Sequence, residues 1–251
     1  QRRRINKKMA DIPEITLTEV PHYNVVICTP GSSMTNSYVS SLLNTIQVLN
    51  SMGISWKYQN QYTSIVATAR EGTIADTMNF QVDTNKPGLG KYTYDKIFMI
   101  DSDISWTPDS FLNLYNSEEN IVSGCYSVIQ YEYIAAFRSI HDSFPINYNE
   151  IKDEDNLIEV GSVGLGFCCV KNGVFESISR PWFFYPIIPY IAEDGSTMQS
   201  PNFSEDTAIC YKWVNEGGNK IMLDPKTTVT HNKTFAFDLS HLKNNNPKDK
   251  V

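Results

Sequence analysis

Apolar residues first gather at Asn24–Thr29 (NVVICT), a run of strand length broken by Pro30-Gly31. Between Ser37 and Met52 the period changes. Val39, Leu42, Leu43, Ile46 and Leu49 recur at helical spacing, which predicts a helix with that face inward and Gly53 closing it. The pattern then predicts a short strand at Ser64–Ala67 and a second helix around Ile74, Ala75 and Met78. The polar segment Asp83–Asp95 (DTNKPGLGKYTYD) reads as a loop, and Lys96–Ile100 (KIFMI) as a third strand. Strand, helix, strand, helix, strand in this order implies crossover connections, hence a mostly parallel sheet covered by helices.

Thr107-Pro108-Asp109 opens the next helix, with Thr as N-cap, Pro in the first position and Asp in the first turn. Asn120–Ser127 (NIVSGCYS) predicts a further strand. From about Tyr131 aromatics and loop signals become denser. Glu159–Val170 (EVGSVGLGFCCV) reads as a glycine-interrupted strand, Asn172–Ile178 as a short helix, and Pro181–Phe203 as a long aromatic loop. A helix capped by Ser204 then runs to Gly217-Gly218, followed by short strands in Lys220–Pro225 (KIMLDP) and Thr227–His231 (TTVTH). This organisation predicts a polar lead over 1–23, one α/β domain over 24–240 with its halves meeting near 130, and a frayed tail over 241–251. No internal repeat interrupts it.

Composition narrows the class. A chain of 251 residues that is 41% hydrophobic and 20% charged can bury one substantial core. A net charge of −7 argues against a nucleic-acid binder, which needs a basic surface to displace counterions. The exception is the N-terminal QRRRINKK, either sequence preceding a start at Met9 or a basic arm for an acidic surface or anionic lipid. No apolar run is long enough to cross a bilayer and no secretory signal follows the basic start, so the expectation is a soluble, cytoplasmic protein, at most peripheral to a membrane. Five cysteines without a CxxC spacing fit reduced thiols, and Cys28, Cys168 and Cys169 sit inside apolar runs. In that setting the sequons at Asn202 and Asn232 carry no meaning.

The KIFMI strand ends in Asp101-Ser102-Asp103. Open sheets of this kind bind ligands beyond the carboxyl ends of their strands, where both Thr29-Pro30-Gly31 and the two aspartates fall. The plain reading is that Asp101 and Asp103 flank the next helix. The chemical reading is that residues i and i+2 of an extended segment point to one side, so the pair offers hard oxygen ligands. Such a pair suits Mg²⁺ or Mn²⁺ carrying a diphosphate, and a metal would offset the cost of two uncompensated carboxylates at a buried strand end.

Taken in order, NVVICTPG, TAREGTIADT, YDKIFMIDSDI, EVGSVGLGFCCVKNGVFESI, SEDTAICYKWVNEGGNKIMLDP and VTH give the chain a resemblance to the GT-A glycosyltransferases. The likeness is strongest to family-2-like enzymes of bacteria, phages and large viruses, and it spans about Asn24 to Thr234. The resemblance implies a metal-dependent, inverting transfer of a sugar from a nucleoside-diphosphate sugar to an acceptor hydroxyl, the acceptor being a glycan, a lipid-linked species or a protein. It places Thr29, Pro30 and Gly31 at the base and ribose, where glycine lets a ligand approach the backbone. Arg70, Asp76, Asp101, Ser102, Asp103, Gly164 and Gly166 would also border the donor. Many relatives continue Ala-Arg-Asn where this chain has Arg70-Glu71. Asp103, Asp101 and His231 would hold the metal, Mn²⁺ or Mg²⁺. In Ser204-Glu205-Asp206 it implies Asp206 as the base and Glu205 as its acceptor-side or structural partner, both with pKa values lowered by the helix dipole. Trp182 and Tyr185, in PWFFYPIIPY, would offer the acceptor a stacking platform under a mobile loop.

Two other classes share parts of this pattern. A sugar nucleotidyltransferase needs a glycine-rich basic phosphate loop after the first strand, and TPGSSMTNS has one Gly and no Lys or Arg. A non-catalytic carbohydrate-binding module would have no use for Asp101, Asp103, Asp206 and His231 together.

Overall fold

A computed structural model describes residues 19–79, 84–129, 132–142, 144–191, 196–200, 203–217 and 219–233. The polar lead to residue 18, the tail beyond 233 and the sequon at Asn202 lie outside them. In chain order the elements are β1 (His22–Pro30), α1 (Asn36–Ser51), β2 (Trp56–Gln61), α2 (Val66–Ala75), β3 (Thr93–Ile100), β4 (Ile104–Ser105), α3 (Pro108–Asn116) and β5 (Ile121–Cys125). Short strands β6 (Ser127–Ile129), β7 (Tyr133–Ile134) and β8 (Ala136–Phe137) follow. The chain then forms β9 (Ile158–Val160), β10 (Ser162–Val163), β11 (Phe167–Lys171), α4 (Val174–Ser177), β12 (Ile188–Ile191), β13 (Thr197–Ser200), α5 (Glu205–Gly217), β14 (Ile221–Thr228) and β15 (Thr230–His231).

The central sheet has the order β2-β1-β3-β11-β5-β14-β9. β1 runs parallel to β2 and β3, and β5 parallel to β14, while β11 and β9 run against their neighbours. The sheet is therefore mostly parallel, as the alternating pattern predicts. Its two faces are separated by the strand period of two. Val25, Ile27, Phe98 and Ile100 face Tyr38 and Leu49 of α1 and Phe111 and Leu114 of α3. Val26, Cys28, Ile97 and Met99 face Ala67 and Ile74 of α2 and Ile209, Cys210 and Trp213 of α5. Helices thus cover both faces, which explains why β1 and β3 are continuous apolar runs. All five cysteines are buried free thiols. Among the described residues no helix is long and apolar enough to cross a membrane.

Several elements differ from the sequence reading. The second strand is Trp56–Gln61, not Ser64–Ala67. It lies at the sheet edge, where a half-exposed WKYQNQ suffices, so no apolar run marks it. Ser64–Ala67 instead leads into α2, whose Ala67, Ala69, Gly72 and Ala75 are small enough for the helix to lie close against β1. On α1 the buried face is Tyr38, Ser41, Thr45 and Leu49, leaving Val39 and Leu43 exposed. Two polar residues belong there because Ser41 Oγ accepts from the Trp106 main-chain N–H and Thr45 Oγ1 from its indole, both at 2.9 Å. The glycine-interrupted run divides into β9, β10 and β11, and the expected aromatic loop contains the β12–β13 hairpin.

Thr107 caps α3 as its sequence predicts, accepting from the Ser110 N–H at 3.1 Å. At the other end of that helix the buried Lys96 reaches back from β3 and donates to the carbonyls of Tyr115 and Ser117. A cation there satisfies orphan carbonyls and complements the dipole, fixing the C-terminal end of α3 against β3.

Candidate active site

The parallel strands β1 and β3 end side by side, and the loops that follow them touch. Gly31 sits at φ +149°, and a Cβ there would come within 2.8 Å of Ser102 Oγ. Only glycine allows this approach. The Ser102 carbonyl then accepts from the Thr35 N–H at 3.1 Å, which joins the start of α1 to the same place. Between these ends and α2 opens a cavity of about 720 Å³ bordered by Pro30, Thr35, Arg70, Asp101, Asp103 and Lys233, among others. That is the size of a small-molecule site, and it lies beyond the carboxyl ends of parallel strands.

The two aspartates do not point to one side. Past Ile100 the chain turns, with the Ile104 N–H returning to the Asp101 carbonyl at 3.0 Å. The expected extended geometry is absent and each carboxylate finds its own partner.

Asp101 turns towards Arg70, whose Nη2 lies 3.0 Å from Oδ1. Arg70 comes from the middle of α2, only 3% exposed, and meets two further carboxylates from the first turn of α5. Its Nε donates to Glu205 Oε1 at 3.1 Å. Asp206 Oδ1 is 3.2 Å from the same nitrogen but without hydrogen-bond alignment, since Glu205 takes that proton. One guanidinium therefore serves three carboxylates. Burial disfavours its charge, but Asp101, Asp206 and Glu205 more than offset this and hold its proton tighter than usual. Two atoms are left over: Arg70 Nη1 and Asp206 Oδ1 are sealed from solvent without a hydrogen-bond partner. Buried polar groups are normally satisfied, so these two atoms are an unmet polar demand inside the cluster, next to the cavity that Arg70 borders.

The helix dipole does not control Asp206. Burial is the largest influence and pushes its carboxyl up to about 7, with Glu205 and Asp101 adding to the rise and Arg70 opposing it. The side chain keeps 17% exposure, so Oδ1 is closed off while the rest reaches an opening. The expectation of a depressed pKa is corrected: desolvation among like charges outweighs a helix N-terminus.

Asp103 has the opposite surroundings. Its Oδ2 lies 3.1 Å from His231 Nε2 and 3.1 Å from Lys233 Nζ. Burial alone would raise its pKa, but the bonds from His231 and Lys233 prevail and hold it below the usual carboxylate range. His231 Nδ1 is 3.0 Å from the Ser127 carbonyl, which can only accept, so this nitrogen carries a proton. Nε2 then faces a carboxylate with its lone pair unless it too holds a proton or a cation intervenes. The contact with Asp103 accordingly raises the His231 pKa despite partial burial.

Among the described residues no three His, Cys, Asp or Glu side chains form a group able to hold a metal. The expected ligand set of Asp101, Asp103 and His231 is thus not assembled, because Arg70 has drawn Asp101 away. The fit that remains is Asp103 with His231, a hard oxygen and an imidazole nitrogen close enough to share one cation.

The other expected site residues divide between bordering positions and structural ones. Thr29 is fully buried with its hydroxyl bonded to Tyr38, and its carbonyl accepts from Asn60 Nδ2 at 2.8 Å, so it presents nothing to the cavity. Asp76 caps α2 in the left-handed region and pairs with Lys57 at 3.2 Å. Gly164 and Gly166 make room for Tyr126: a Cβ on either would meet its hydroxyl or ring within 2.8 Å. Trp182 is wholly buried, with its indole N–H on the Phe175 carbonyl at 2.9 Å, and belongs to the core rather than to a stacking platform. Tyr185 is 54% exposed and does not border the cavity. Glu71, the departure from Ala-Arg-Asn, binds Arg180 at 2.6 Å and accepts from the Trp182 and Phe183 main-chain N–H groups. It therefore ties the start of the aromatic loop to α2.

Sequence reasoning missed Tyr126, Asn232 and Lys233. The Tyr126 hydroxyl accepts from the Gly166 N–H at 3.0 Å, and its ring stands edge-on to His231 at 5.6 Å. Asn232 holds the Asp103 carbonyl twice, from its main-chain N–H at 2.7 Å and from Nδ2 at 2.9 Å. The only signal for the last two is their adjacency to His231.

No family model matches the chain and no curated protein matches it. Among solved structures it is similar to the protein A197 from STIV, with 14% identity, a TM-score of 0.48, and coverage of 86% of this chain and 97% of that one. It is also similar to the catalytic domain of Drosophila beta1,4galactosyltransferase 7, solved in complex with xylobiose. There identity is 12%, the TM-score 0.44, and coverage 90% of this chain and 80% of that one. Likenesses of this size carry no conclusion about family or activity.

Proposed function

We propose that the chain is a glycosyltransferase that moves a sugar from a nucleoside-diphosphate sugar to an acceptor hydroxyl, with inversion at the anomeric carbon. The observation that carries this reading is the bridge made by Arg70. One guanidinium, with an unused N–H, joins the Asp101 loop of the cavity to Asp206, whose carboxyl titrates near 7. A base poised at the working pH is what acceptor activation requires. Asp206 takes the acceptor proton as that oxygen bonds to the anomeric carbon, and the bond from the same carbon to the diphosphate breaks with its electron pair leaving on phosphate. Glu205 is the structural partner that holds Nε of Arg70 and leaves Asp206 free of it. Pro30, Gly31 and Ser102 border the nucleoside, and Arg70 holds the Asp101 loop beside the donor.

Asp103 and His231 would hold the divalent cation, Mn²⁺ or Mg²⁺. Such ions are commonly bound through one or two protein groups and completed by substrate phosphates. When bound, the ion supplies neutralising charge to the departing diphosphate.

The test incubates the protein with UDP- and GDP-sugars and Mn²⁺ and follows nucleotide release, with UDP and GDP affinity measured alongside. Asp206→Asn is expected to bind nucleotide as the wild type does and to lose turnover by about 10²–10⁴-fold. Undiminished turnover in this variant removes Asp206 as the base. No nucleotide binding by the wild type overturns the proposal.

A further inference from the structure

His231, Asn232 and Lys233 all converge on Asp103, through an imidazole, two bonds to its carbonyl and an ammonium. Asn232 holds the main chain in place, yet the Lys233 side chain is 56% exposed and free to swing about that anchor. Its ammonium rests on the same Oδ2 that faces His231 Nε2, the point where a shared cation would sit. Lys233 also borders the cavity with Arg70.

We infer that Lys233 is a built-in cation that occupies the place of the metal until a diphosphate draws it away. This rests on the metal-dependent reading above and adds a rule to it: the ion and the diphosphate bind together or weakly. With Lys233 on Asp103, an incoming Mn²⁺ meets a neutralised carboxylate and must displace an ammonium. With a diphosphate present, Nζ moves to a phosphate oxygen, a charge-assisted bond stronger than a half-exposed ion pair, and Oδ2 is released to the ion. Each ligand thereby promotes the other, and linkage makes the effect reciprocal. Asn232 is the positioning residue that keeps the swinging group within reach of both stations.

Mn²⁺ binding is followed by electron paramagnetic resonance of the free ion, with and without UDP or GDP, on the wild type, Lys233→Met and Lys233→Arg. In the wild type the nucleotide should tighten Mn²⁺ binding. In K233M, Mn²⁺ alone should bind about two- to fivefold more tightly, the range of an exposed ion pair removed. Mn²⁺-supported nucleotide binding should weaken by about tenfold, so the coupling shrinks or vanishes. K233R keeps a cation that can reach phosphate and should restore much of the nucleotide affinity. If K233M binds Mn²⁺ alone no better than the wild type and keeps the full coupling, Lys233 is not the switch, while the functional proposal stands. If the wild type binds neither Mn²⁺ nor nucleotide, the functional proposal itself falls and takes this inference with it.

Discussion

The two aspartates of one loop sit in contrasting electrostatic settings. Around Asp101 a single buried cation is shared by three carboxylates, and the surplus is negative. Around Asp103 a single carboxylate is shared by an imidazole and an ammonium, and no second carboxylate competes for them. The cation of the first cluster, Arg70, is buried at 3% exposure, whereas that of the second, Lys233, is 56% exposed. What a charge costs depends on both facts together. Burial beside other carboxylates drives a carboxyl towards neutrality, as at Asp206. Basic partners with no rival carboxylate keep Asp103 ionised. On the proposed reading, the base Asp206 belongs to the first setting and the cation seat of Asp103 and His231 to the second.

Removing the shared cation is the harshest way to break this comparison. Arg70→Met leaves Asp101, Glu205 and Asp206 facing one another beside the cavity, and breaking a buried pair in this way costs about 3–5 kcal/mol. Urea unfolding near pH 8 should show that loss, and it should shrink as the pH falls and the orphaned carboxylates take protons. A loss below about 1 kcal/mol at pH 8 would mean that water, not Arg70, compensates the cluster.

A gentler probe reads the sign of the same cluster. Asp206 titrates near 7 in the folded chain against 3.8 as its ordinary value. Between those values the folded state holds a proton that the unfolded state has lost. This group therefore favours folding fully below the unfolded value, and its contribution declines as the pH rises to about 7. Integrated over that window, the effect is on the order of a few kcal/mol. Asp206→Asn should flatten the fall in stability between pH 4 and 7 and leave the variant more stable than the wild type at pH 8. Parallel pH profiles for the two proteins would place the proton elsewhere.

Why the sequence predicts one half of this picture better than the other follows from where the partners lie. β1, β3 and the Thr107 cap are legible because each is written in a few adjacent residues. The edge strand Trp56–Gln61 is not, since one exposed face lets polar residues occupy it. The buried face of α1 misleads because Ser41 and Thr45 face inward to bond Trp106, a contact no periodicity encodes. For the site, Asp101 and Asp103 announce themselves by ending an apolar strand. Their orientation depends on Arg70, 31 residues away, and Lys233, 130 residues away. Spacing within the loop suggests a shared metal, whereas those distant cations separate the pair. Trp182 is likewise an aromatic in a loop by sequence and a core residue by virtue of Glu71, which holds that loop down.

The open cluster should respond least, and its response sharpens the contrast. Asp103→Asn removes a carboxylate whose ammonium partner, Lys233, is 56% exposed and whose imidazole partner, His231, can give up a proton, so neither is left as a buried charge. Exposed pairs of this kind contribute about 0–1 kcal/mol, and Asn232 keeps its two bonds to the main-chain carbonyl regardless of the side chain. Thermal unfolding should therefore move by no more than a few degrees, far less than for Arg70→Met, while Mn²⁺-dependent nucleotide binding is lost. A large stability loss with nucleotide binding retained would reverse the assignment, making Asp103 the structural member of the pair and returning Asp101 to the metal.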